Sequence, residues 1–184
     1  MKKANLTVTV TAMACLAILF STGCAYDRGS HRVATPPQSV LQGPITNSAN
    51  GHTYYLLKPT TWTASETAAV LLGGHLVTIN DQTENRWVFE RFSSPSGTDR
   101  LLWLGLNDAS APSKFVWSSG EPAVYLNWAP GQPDAGEHYV YMHPANAPKD
   151  RPRPPGTWNN YSDGPTEYAE KVPIYGIVEV VPSR

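Results

Sequence analysis

The stretch Leu101–Leu106 reads Leu-Leu-Trp-Leu-Gly-Leu and contains no polar side chain. A strand with one wet face alternates polar and apolar residues, so an unbroken apolar run of this length reads as a strand buried on both faces. Such a strand can exist only inside a domain that covers it from two sides. The flanking sequence must supply that cover.

Upstream, Asn50-Gly51 signals a turn and His52–Leu57 a first strand. Thr63 and Glu66 have capping-box spacing, which predicts a helix that buries Ala68, Leu71 and Leu72 and stops at Gly73-Gly74. His75–Ile79 alternates as a short strand. Asp81 and Glu84 then open a second helix carrying Val88, Phe89 and Phe92, and Ser93–Arg100 is a polar loop. Downstream, Lys114–Trp117, His138–Met142 and Ile174–Val181 read as short strands, and Trp158–Asn160 starts another short element. A turn at Ser118–Pro122 and a proline-rich loop over His143–Gly156 separate them. Two early helices followed by many short strands give an α+β class rather than a parallel α/β sheet. No internal repeat, Gly-rich phosphate loop or second domain is visible.

A net charge of −1 argues against nucleic-acid binding, which needs a basic surplus. At the N-terminus, Lys2 and Lys3 precede the apolar run Ala12–Phe20, far shorter than the roughly 20 residues a membrane span needs. This predicts a signal peptide over residues 1–24. Gly23-Cys24 resembles the end of a bacterial lipobox, in which Cys24 would be lipidated and become the mature N-terminus, anchored at the cell envelope as an outer-membrane, periplasmic or surface lipoprotein. Ser21 stands where that motif usually has an aliphatic residue, and ordinary cleavage after Ala25 is the alternative. Residues 25–50, rich in Ser, Pro, Gln and Gly, read as a flexible tether, and 51–182 as one domain. With Cys15 in the leader and Cys24 at its border, no cysteine remains for a disulfide, so apolar packing must hold the domain. Six Trp and nine Tyr are enough to fill one core.

Between the strands lies Leu126–Glu137, reading Leu-Asn-Trp-Ala-Pro-Gly-Gln-Pro-Asp-Ala-Gly-Glu. Gln132, Asp134 and Glu137, with Asn159 and Asn160 further on, combine two carboxylates and three carboxamides, the chemistry of a hard, oxygen-lined pocket. No His-Glu-x-x-His run and no Ser–His–Asp set can be singled out. His138 and His143 are five apart on a strand and face opposite ways, so they cannot chelate one ion together. Lys149, Arg151 and Arg153 read as a solvated loop.

Taken in order, the motifs over His52–Val180 resemble a C-type lectin-like domain. They are Trp62 with the first helix, then Gly74–Ile79 followed by Glu84. Next come Trp103-Leu104-Gly105-Leu106, Phe115–Trp117 with Gly120, and Asn127-Trp128. Gly131–Asp134, Glu137 with Val140, Trp158-Asn159 and Val178-Glu179 complete the series. Four departures stand out. Tyr139 and Val178 occupy positions where the family commonly has Cys, and Asn160 stands where its calcium-binding members have Asp. Only Ala135-Gly136 separate Asp134 from Glu137, and the stretch from Trp158 to Glu179 carries an extra loop over Tyr161–Pro173.

The resemblance implies two helices with two small antiparallel sheets and a long ligand-binding loop. It implies that Gln132, Asp134, Glu137, Asn159 and Asn160 are both metal and carbohydrate ligands, holding Ca2+ whose shell two sugar hydroxyls complete. It also implies a cis Gln132–Pro133 bond that aims both flanking side chains at the ion. Gln-Pro-Asp goes with galactose-type ligands in such relatives, although Ala135-Gly136 offer no stacking ring. With only two carboxylates, calcium affinity would be about 0.1–1 mM. Trp103, Trp117, Trp128 and Trp158 fall at framework positions and are expected in the core. The reading is a non-enzymatic module that binds carbohydrate or glycoconjugates through calcium at the bacterial envelope, held to the membrane by a lipid anchor. The alternative is a calcium-independent domain for a protein ligand or a surface-structural role.

Overall fold

The computed structural model describes residues 39–93, 99–146, 153–163 and 173–182. Cys24, the leader, Lys149 and Arg151 lie outside the described residues, as does most of the Tyr161–Pro173 loop. Three strands and two helices come first: β1 (Val40–Thr46), β2 (Thr53–Pro59), α1 (Trp62–Leu71), β3 (His75–Leu76) and α2 (Gln82–Val88). A π-helical turn, Phe89–Ser93, extends α2. Then follow β4 (Leu101–Asn107), β5 (Val116–Trp117), β6 (Tyr139–Met142), β7 (Trp158–Tyr161) and β8 (Ile174–Val180).

The apolar run forms β4, with Leu101–Leu106 all buried. It pairs parallel with β8 and antiparallel with β5 and β6. The parallel β4–β8 pairing joins all the strands into one connected sheet, in the order β1-β2-β8-β4-β6-β7, with β3 on β8 and β5 on β4. Two separate small antiparallel sheets were expected. β4 lies between β8 and β6 in that order, and both of its faces are covered. One face packs with Val77, Ile79, Val88, Phe92, Trp117 and Trp158, the other with Trp62, Leu76 and Tyr141. Gly105 is required by the fold: a Cβ there would lie 2.5 Å from the Leu76 carbonyl oxygen, and its N–H donates to Val77 O at 2.9 Å.

Strand β1 corrects the predicted tether. Val40–Thr46 pairs antiparallel with β2, its Val40 and Ile45 side chains packing against core clusters, so the ordered domain begins about ten residues before the predicted border. Gln42, Gly43 and Pro44 interrupt the apolar pattern of this stretch and hid a strand whose pairing breaks register twice.

Helix α1 also starts elsewhere. Thr61, not Thr63, is the N-cap and accepts from Ala64 N at 3.2 Å. Thr63 instead binds Asp163, and Glu66 turns inward to His75 Nδ1 at 2.6 Å and Leu76 N at 2.8 Å. The buried stripe is accordingly Trp62, Ser65 and Ala69, while Leu71 is 78% exposed. Helix α2 begins as expected, Asp81 capping Glu84 N at 2.9 Å. Trp103, Trp117 and Trp158 are buried and Trp128 is packed half-buried against them.

Candidate functional site

Residues 118–138 between β5 and β6 contain no strand; an isolated bridge from Trp128 to Trp158 fixes their middle. Ala129 N donates to Trp158 O and Trp158 N to Asn127 O, both at 2.8 Å, while Phe115 packs edge-on against Trp128. From that pinned point the chain turns through Gly131, whose φ of +82° a side chain would resist, and crosses a cis Gln132–Pro133 bond. Arg153 Nη1 donates to Pro130 O at 3.0 Å and ties down the turn from outside.

Asn160 closes the loop. Fully buried on β7, its Oδ1 accepts from Asp134 N at 2.8 Å and its Nδ2 donates to Asp134 O at 2.7 Å and to Glu137 O. One carboxamide thus satisfies three backbone groups of a segment that has no ladder partner, a job that needs a donor and an acceptor together. Gln132 Nε2 reaches Asp134 Oδ2 at 3.0 Å. The structure therefore gathers Gln132, Asp134, Glu137 and Asn160 into one group.

Asn159 is placed differently. β6 and β7 pair Val140 with Asn160 and Tyr141 with Asn159. Side chains alternate along a strand, so the two carboxamides lie on opposite faces, and Asn159 Nδ2 donates to the Tyr141 hydroxyl at 3.0 Å.

Two carboxamide oxygens, Gln132 Oε1 in the loop and Asn159 Oδ1 on β7, are buried without a hydrogen-bond donor among the described residues. Leaving such an acceptor unmet costs about 1–3 kcal/mol. Burial, and then the charge of Asp134, pushes the Glu137 carboxyl above the usual carboxylate range. Neither Asp134 nor Glu137 has an ion-pair partner among the described residues. An all-oxygen donor set with two uncompensated carboxylates suits a hard cation such as calcium. Asn160 fits that role least, since its carboxamide is committed to the loop backbone.

Two polar clusters escaped the sequence reading. His138 Nδ1 lies 2.9 Å from Oδ1 of the buried Asp108, whose Oδ2 accepts from Ser113 N at 2.6 Å, so the loop's return is clipped to the end of β4. In the second cluster His52, Glu84 and Glu179 offer ligand atoms within 4.8 Å of one another. His52 Nδ1 is 2.6 Å from Glu179 Oε1, and the Tyr54 hydroxyl lies 2.8 Å from Glu84 Oε1 and 2.9 Å from Glu179 Oε1. That hydroxyl has a single proton for two acceptors. Burial, with Glu179 adding to it, raises the Glu84 carboxyl, so a proton or a cation on this cluster relieves the crowding. Glu179 inside an otherwise apolar strand was the available signal, because a buried carboxylate requires partners. His143 is buried against Tyr141 with Nε2 unpartnered among the described residues, and burial followed by Arg153 lowers its pKa to about 4.

This architecture is shared with known proteins. The chain is 34% identical over 73 residues to the galactose-specific lectin nattectin of Thalassophryne nattereri, an alignment that covers 40% of this chain and 46% of nattectin. It thus spans about half of that relative, and only 6% of the human secretory phospholipase A2 receptor, to which it is also 34% identical over 84 residues. Among solved structures, the cow CD23 carbohydrate-recognition domain superimposes with a TM-score of 0.56 at 23% identity, covering 82% of this chain and 98% of that one. A calcium-independent type II antifreeze protein superimposes with a TM-score of 0.54 at 19% identity, covering 81% and 96%. The profile of the lectin C-type domain matches residues 58–168. Members of this family are non-enzymatic binders, and the chain belongs to the lectin C-type domain family.

Proposed function

We propose that the chain binds carbohydrate through a calcium ion held by the Gln132–Glu137 loop. The observation that carries this reading is the unmet buried oxygen Gln132 Oε1 in the loop that also carries Asp134 and Glu137, two carboxylates with no ion-pair partner among the described residues; Asn159 Oδ1, on the neighbouring strand β7, is a second unmet buried oxygen. Calcium would supply the positive charge that Asp134 and Glu137 lack, a partner for Gln132 Oε1 and an attachment point for vicinal sugar hydroxyls. The chain's own part is to orient the ligands: Asn160 fixes the loop backbone, and Gln132 Nε2 with the two carboxylates offers one donor and several acceptors to a sugar.

The order Gln132-Pro133-Asp134 and the similarity to a galactose-specific lectin support a galactose-type ligand. The leader, with Cys24 as lipid acceptor, supports display at a bacterial envelope. A glycan array run in calcium and in chelator tests the first point. Galactose-bearing spots should lose signal in chelator, and spots unaffected by it would defeat the metal-dependent reading. For the anchor, Cys24→Ser should abolish lipid labelling and membrane fractionation.

One observation favours a second reading, in which the loop serves a protein partner without metal. Asn160 closes the loop by itself through three hydrogen bonds, so the fold of the segment needs no ion. Under that reading calcium leaves the melting temperature unchanged.

A further inference from the structure

A separate cleft of about 390 Å³ opens between α2 with its π-helical extension and the chain around Tyr125 and Gly156, away from the Gln132–Glu137 loop. Its volume lies within the range of small-molecule sites. Two aromatic side chains form apolar wall: Phe89, half-buried at the C-cap of α2, and Tyr125. Tyr125 is held edge-on against the buried Trp158, with ring centroids 5.6 Å apart, so its ring is a fixed surface. Burial, and then Asp81, raises its phenol, which therefore stays a donor.

The back of the cleft is rigid. Gly156 O accepts from Asn85 Nδ2 at 3.1 Å and Asn127 Nδ2 at 2.9 Å, and Asn85 Oδ1 is taken by Trp158 Nε1 at 2.8 Å. Among the described residues no hydrogen bond engages the carboxamide oxygen of Asn127 or the side chains of Gln82, Arg86 or Glu90. Arg86 and Glu90 sit four residues apart on the same helical side, and neither has an ion-pair partner among the described residues.

These features select a ligand class. One positive and one negative group give the cleft no net charge, so a phosphate or polyanion gains nothing there. Fixed aromatic wall takes the C–H face of a ring. Forked donors and acceptors around it match a ring bearing adjacent hydroxyls, which donate to Glu90 and Asn127 and accept from Arg86 and Tyr125. We propose that this cleft is a second, metal-independent subsite for a neutral saccharide, formed by Phe89, Tyr125, Arg86, Glu90 and Asn127. It extends the carbohydrate-binding reading above but uses none of the loop's ligands.

The test is a titration of the full chain by two-dimensional NMR in EDTA. The probes are methyl β-galactoside, methyl α-mannoside and N,N′-diacetylchitobiose. The proposal expects saturable shifts at the Arg86, Phe89 and Asn127 amides with at least one probe. Arg86→Ala or Glu90→Gln, both at exposed positions, should weaken that binding about tenfold, corresponding to about 1.4 kcal/mol. Tyr125→Phe, which keeps the ring, should weaken it less. Asp134→Ala should leave it intact while abolishing any calcium-dependent binding. No saturable cleft shift with any of the three probes, or shifts indifferent to Arg86→Ala, overturns the subsite. Either result leaves the calcium loop to be judged by its own chelator-sensitive assay.

Discussion

The strand β4 and the loop 118–138 are neighbours in sequence, yet they are held by different physics. β4 is fixed by burial: Leu102, Leu104 and Leu106 are 0% exposed and take neighbours on both edges. The loop has exposed Val124 and Leu126, one isolated bridge and no ladder. Its order comes from side chains that hydrogen-bond backbone, Asn160 above all. A region fixed by burial resists change at many positions and offers nothing to a ligand. A region fixed by a few polar contacts can leave oxygens unmet, and those unmet oxygens are its chemistry.

Four perturbations sharpen that contrast. The largest effect belongs to the core. Leu104→Ala removes side-chain volume from a site with no solvent, and urea unfolding should show about 2–5 kcal/mol of lost stability. Next is Asn160→Ala, which strips the loop of its clasp and leaves partly buried backbone groups of Asp134 and Glu137 unmet. It should cost about 1–3 kcal/mol by the same measurement, with hydrogen-exchange protection lost at Asp134 while β4 stays protected in native conditions. Asn160→Asp is the informative partner: it keeps the acceptor for Asp134 N but turns a carboxylate towards two carbonyls. Without calcium it should be less stable than wild type, and calcium should stabilise it more.

The third perturbation is pH. His143 is held neutral, its pKa lowered from 6.5 to about 4 by burial and then Arg153. The unfolded chain therefore binds a proton that the folded chain refuses, so stability is full above pH 6.5 and is lost progressively as pH falls towards 4. His143→Gln should flatten the fall in melting temperature across that window. Glu84 and Glu137 have the opposite sign, since each folded carboxyl is raised. Their contribution diminishes as pH rises through their folded values, which makes the metal-free protein relatively more stable on the acid side. The smallest expected effect is that of Asp134→Ala on metal-free stability. The residue is exposed, and the change should stay within about 0.5 kcal/mol.

The same contrast explains what could be read from the sequence. Leu101–Leu106, Ile174–Val181 and the Asp81 cap were legible because apolar runs and caps act locally. The motif order placed the loop and its ligand candidates, and the cis Gln132–Pro133 bond is present as expected. What escaped depends on pairing between distant segments. Val40–Thr46 is a strand only because β2 accepts it, and Thr63 is not a cap because Asp163, a hundred residues away, binds it. The commitment of Asn160 to Asp134 and Glu137, and the turning of Asn159 to Tyr141, are likewise invisible in a string of letters.

Thermal unfolding of the wild type and of Asp134→Ala, each in 10 mM calcium and in EDTA, tests the central claim most directly. With a dissociation constant of about 0.1–1 mM, calcium should add about 1–3 kcal/mol to the wild type. Its melting temperature should therefore rise by several degrees. Asp134→Ala should match the wild type in EDTA and show no rise in calcium. A wild-type melting temperature that is the same in calcium and in EDTA contradicts the account.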